Sequence, residues 1–107
     1  MTYVLIVTED RAVALSLRMV LKDAFFVADV TPAAARHSVV SHRPAVILLD
    51  GRTVSGALSL LKELLTDDPA LTVVMLCPSC DWGAREALAT GAFDVIEKSF
   101  DIERVAA

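Results

Sequence analysis

A chain of 107 residues fits one domain and leaves no room for a second. Hydrophobic residues make up 55% of it and charged residues 22%, which excludes a disordered chain and leaves enough charge to solvate a small compact fold. The net charge of −4 comes without a cluster of Lys or Arg, so no nucleic-acid interface is expected, and no apolar run approaches the roughly 18 to 20 residues of a membrane-spanning helix.

Met1-Thr2-Tyr3 enters the first apolar run without a basic leader, so no signal peptide is expected. That run, Tyr3 to Val7, is continuous and rich in Val, Leu and Ile, as a strand buried on both faces reads. Val13, Leu17, Val20 and Leu21 follow at i, i+4, i+7 and i+8 and make the stripe of a first helix. Phe25 to Val30 reads as the second strand, and Thr31-Pro32 as the N-cap and first helical position of the second helix. Ala45 to Leu49, entered through Pro44, is a third strand. Leu60, Leu61, Leu64 and Leu65 give the third helix its stripe, and Thr72 to Leu76, after Pro69, is a fourth strand. Ala84, Ala87 and Leu88 form a narrower stripe in the fourth helix, which Gly91 should end in a left-handed turn.

Asp94 to Glu97 is a weaker fifth strand, and a last helix from Asp101 has room for about two turns. A single domain over 1–107 is expected, either naturally short at its C-terminus or cut from a longer chain. Strands alternating with helices through short loops imply right-handed crossovers and a doubly wound, five-stranded parallel α/β sheet. Two cysteines, Cys77 and Cys80, are too few for a disulfide scaffold, so a reducing, cytoplasmic setting is expected.

In such sheets ligands gather beyond the carboxyl ends of the strands, where the strand order reverses. Thr8, Glu9 and Asp10 follow the first strand, Asp50, Gly51 and Arg52 the third, Cys77 ends the fourth and Lys98 follows the fifth. With the first and third strands adjacent, three carboxylates would meet on one rim and a lysine would face them. Clustered carboxylates repel unless a cation joins them, and oxygen donors of this kind suit Mg²⁺. A lysine opposite supplies a counter-charge for an anion, which together describes phosphoryl transfer to an aspartate. For Glu9 and Asp10 the competing reading is capping of the first helix. Asp50 closes a wholly apolar run and has no helix stripe to complete.

Val4 to Asp10, Pro44 to Asp50 and Gly91 to Phe100 resemble response-regulator receiver domains, in the right order and over nearly the whole chain. The resemblance implies a flavodoxin-like strand order 2-1-3-4-5 with a shortened last helix. It implies that Asp50 accepts a phosphoryl group, that Glu9, Asp50 and the backbone carbonyl of Arg52 ligate Mg²⁺, with Asp10 as a further candidate, and that Lys98 contacts the phosphoryl oxygens. Cys77 stands where the family carries a Thr or Ser that switches toward the phosphoryl group. Implied partners are a histidine kinase or phosphotransfer protein upstream, and a downstream protein or attached effector domain. Implied chemistry extends to phosphorylation from a donor and slow autodephosphorylation, without enzymatic turnover.

Five positions depart from the family pattern. Thr8 replaces the first acid of a pair, Cys77 the hydroxyl, Val95 the switch aromatic, Val54 a proline after the acceptor loop, and Ser99 the proline after the lysine. The peptide before Ser99 is therefore expected to be trans, because a non-proline cis bond costs ~3 to 4 kcal/mol. These departures support a rival reading, a pseudo-receiver that binds a partner without phosphorylation. Cys77-Pro78-Ser79-Cys80 also has C-x-x-C spacing, although thioredoxin-type folds carry that motif after an early strand. His37 and His42 lie far from the cysteines and read as surface residues rather than zinc ligands. Thr8 to Arg11 has no glycine and would repel a nucleotide phosphate. Trp82 reads either as a partner contact or as a cover for the short loop before it.

Overall fold

The computed structural model describes residues 2–51, 56–76 and 81–96, with the backbone alone for 81–84. Five strands, β1 (Thr2–Val7), β2 (Phe25–Val30), β3 (Val46–Asp50), β4 (Val73–Leu76) and β5 (Asp94–Ile96), form one sheet. Its order is β2-β1-β3-β4-β5, and every pairing is parallel. The order reverses between β1 and β3, as the expected flavodoxin-like topology requires. The β3 expectation was one residue early at each end: Asp50 is itself the last residue of the strand, opposite Leu76 of β4. Glu97 and the segment expected to form the last helix lie outside the described residues.

Four helices connect the strands: α1 (Arg11–Leu21), α2 (Ala35–His42), α3 (Ala57–Asp67) and α4 (Asp81–Thr90). The alternation of strand side chains divides the core into two layers. Leu5, Val7, Ile47, Leu49, Val73, Met75 and Val95 pack under α2, α3 and α4. On the other face Val4, Ile6, Leu48, Leu76 and Ile96 meet Val13, Leu17 and Leu21 of α1. Because both faces are covered, the strands carry continuous apolar runs, and fully burying each such side chain contributes about 1.5–3 kcal/mol.

Three local expectations need correction. Thr31 is the N-cap and Pro32 the first helical residue as expected, but what they open is a 3₁₀ turn, Pro32–Ala34, with no bond to the Thr31 side chain, and the α-helix begins only at Ala35. Leu88 is 51% exposed, so the stripe of α4 is narrower than its spacing implied, with Ala87 fully buried. Val20 is only half-buried, while Ala14 completes the α1 stripe. Gly91 ends α4 as expected, at φ 123°, a conformation open to glycine at no steric cost. Its N–H and that of Ala92 both return to the Ala87 carbonyl.

β2 is an edge strand whose Phe26 is 56% exposed. On its other face Asp29 is held by Arg11 and by Arg18, the latter at 2.9 Å, both from α1. Burial alone would raise the Asp29 carboxyl. The hydrogen bond and charge of Arg11, joined by Arg18, outweigh it and hold the group below the ordinary carboxylate range.

Candidate functional site

Asp50 ends β3, at the switch point of the sheet, and its side chain is 0% exposed. The β1–β3 register pairs Val7 with Leu49, so the next residues along, Thr8 and Asp50, leave the sheet side by side. The Thr8 hydroxyl donates to Asp50 Oδ2 at 2.8 Å within the buried interior. Thr8 is itself held in place: its N–H donates to the Val30 carbonyl at 3.1 Å, and its Oγ1 accepts from the Asp10 N–H at 3.0 Å. A hydroxyl has a single proton, so accepting from Asp10 while donating to Asp50 gives it a defined orientation.

Asp10 faces the helix. Its Oδ1 accepts from the N–H groups of Ala12 (2.9 Å) and Val13 (3.4 Å), the N-cap role weighed above for the two acids. Glu9 is exposed and takes no part in that cap. Among the described residues no three His, Cys, Asp or Glu side chains gather closely enough to hold a metal ion. The expected rim of three carboxylates is thus corrected, since Asp10 is turned onto the first turn of α1. What the described residues offer a cation is a sparse oxygen set, Asp50 and Glu9. Mg²⁺ accepts such a set when a carbonyl and waters complete it. Arg52, Cys77 and Lys98, the peptide before Ser99, the C-x-x-C segment and the side chain of Trp82 lie outside the described residues.

Gly51 shapes the rim from the β4 side. A Cβ there would stand 2.8 Å from the Leu76 carbonyl oxygen and 3.3 Å from the Met75 side chain. Only glycine lets the chain leaving Asp50 pass this close to β4. A cavity of about 400 Å³ between α2 and α3 lies at the opposite end of the strands, beside Pro44 and Leu71. There Arg36 is already paired bidentately with Asp67, at 2.8 Å for each contact. Both histidines are exposed, and His42 stacks on Tyr3, consistent with surface roles.

The signal missed in the sequence was Thr8. It reads there as the loss of an acid, whereas the register makes it the neighbour of Asp50. Adjacent strands of known register would have located it.

No protein-family model matches the sequence, and no curated protein matches it. Solved structures do. The N-terminal signal receiver domain of a two-component response regulator from Bacteroides fragilis superposes with a TM-score of 0.88 at 25% identity, over 98% of this chain and 90% of that one. NtrX from Brucella abortus matches at 0.87 and 26% identity over 98% of this chain, which spans only 24% of NtrX. A response-regulator receiver domain from Clostridium thermocellum matches at 0.87 and 18% identity, over 99% and 89% of the two chains. No described helix is long and apolar enough to cross a membrane.

Proposed function

We propose that this chain, which has the fold of response-regulator receiver domains, accepts a phosphoryl group on Asp50 from a histidine kinase or phosphotransfer protein of a cytoplasmic two-component pathway. The observation that carries the reading is a carboxylate ending the central strand at the topological switch point. A carboxylate oxygen of Asp50 attacks phosphorus in line, an acyl-phosphate bond forms, and the N–P bond of the donor breaks. Its electron pair stays on the imidazole nitrogen. Alignment and charge neutralisation carry such a step, without a separate general base. Glu9, Asp50 and the Arg52 carbonyl are the residues that would hold Mg²⁺, whose contribution when bound is to neutralise phosphoryl oxygens. Lys98 supplies a second positive charge, and Cys77 holds the switch position. The phosphorylated domain signals to a downstream protein or an attached effector domain.

A second reading, a pseudo-receiver that binds its partner without phosphorylation, is favoured by the Thr8 hydroxyl on a fully buried Asp50. Incubation with Mg²⁺ and acetyl phosphate, followed by intact-mass measurement, separates the two. A phosphate adduct is expected on the native chain and none on Asp50→Asn. Absence of an adduct on the native chain, together with no Mg²⁺ binding, overturns the phosphoacceptor reading.

A further inference from the structure

We infer that Thr8 is a positioning residue that uses its hydroxyl to hold the Asp50 carboxylate where an acid would recruit a cation, so that this domain orders its acceptor without a divalent ion and binds one weakly. The inference rests on the acceptor reading of Asp50 and names what governs that site. Three observations carry it. The hydroxyl proton is directed at Asp50 Oδ2 at 2.8 Å, in a buried setting where such a bond is stronger than in water. The direction is set by the chain, through the Asp10 N–H on Thr8 Oγ1 and the Val30 carbonyl on the Thr8 N–H. Of the two acids that follow Thr8 in the chain, Asp10 is committed to the helix cap and Glu9 is exposed.

A buried carboxylate must be met either by donors or by a cation. An acid in place of Thr8 would add a second negative group next to Asp50, and two adjacent carboxylates are relieved by a divalent ion. A hydroxyl does the opposite, supplying a donor to one carboxylate oxygen and adding no charge that attracts a cation. Thr8 thereby sets how much the site depends on metal.

The test uses the full chain with Thr8→Asp, Thr8→Ser and Thr8→Val, and Mg²⁺ alone as the probe. Isothermal titration reads affinity, and the Mg²⁺-induced rise in the unfolding midpoint reads how far order at the site depends on the ion. Thr8→Asp should bind Mg²⁺ about tenfold or more tightly than the native chain, as an added carboxylate at close range requires. Thr8→Ser keeps the donor and should match the native chain in both readouts. Thr8→Val should show a larger Mg²⁺-induced rise than the native chain, because the ion then replaces the lost donor; a purely structural role would lower the midpoint and leave the rise unchanged.

Equal affinity in native and Thr8→Asp chains overturns the inference. Should Thr8→Asp fail to fold, an unchanged rise in Thr8→Val overturns it instead. The acetyl phosphate adduct is scored separately: a tenfold tighter Thr8→Asp with no adduct in any variant upholds the role of Thr8 and removes the acceptor reading. An adduct with the same Mg²⁺ dependence in all four chains removes the role of Thr8 and upholds acceptance.

Discussion

Among single residues, Gly51 shows most directly how packing constrains the site. Its missing side chain lets the backbone after Asp50 run against the Leu76 carbonyl, and a backbone oxygen cannot move aside as a flexible side chain can. Gly51→Ala should therefore destabilise the fold by ~1 to 3 kcal/mol, the usual range for overpacking. Urea unfolding at an unchanged slope would measure it. Gly91 makes a useful contrast. There the nearest atom to an added Cβ is a Leu65 methyl, and the cost of substitution comes chiefly from the positive φ. Thr8 belongs at the same scale. A single hydroxyl, bonded on both sides, links the first turn of α1 to the buried carboxylate.

Secondary-structure elements bring in end effects. α1 starts at Arg11 because Asp10 satisfies two of its otherwise unbonded N–H groups. Replacing Asp10 with Ala should cost about 0.5 to 2 kcal/mol, and Asn should recover most of that loss, since its carbonyl oxygen caps nearly as well. Thermal unfolding of the three chains gives the comparison; equal losses for Ala and Asn would show that charge, rather than the cap, is what Asp10 supplies. The strands were legible in the sequence because burial on both faces leaves short continuous apolar runs such as Val4-Leu5-Ile6-Val7. Helix stripes were legible to the residue in α3, where Leu61 and Leu64 are buried and Leu60 and Leu65 pack at the margin. They were less so in α4, because small residues such as Ala87 suffice for contact and Leu88 is left outside. Asp50 could be found because it interrupts an apolar run. Asp10 stayed ambiguous because cap and ligand demand the same residue type, and only geometry separates them. The Thr8–Asp50 pair was hidden because it depends on strand register, which no local pattern encodes.

Over the whole molecule, charge and sheet topology combine at the β2 margin. Asp29 is held below the ordinary carboxylate range by Arg11 and Arg18 despite the opposing effect of burial. Its folded-state value is thus depressed relative to the unfolded chain. The contribution to stability is fully present above the unfolded value of about 3.9 and fades as pH falls through the lower folded value. Asp29→Asn should accordingly be less stable than the native chain at neutral pH and converge on it in acid, as unfolding curves between about pH 6 and pH 2 would record. A gap that persists unchanged into acid would mean that the loss does not come from the charge of the Asp29 carboxylate. The two ends of the sheet are unequal as well. Among the described residues β5 presents three residues and β2 six, with the aromatic ring of Phe26 standing outward. A strand of that length at a sheet edge is a template on which a further strand can be laid, and a charged side chain on it, here the arginine-clasped Asp29, discourages such pairing.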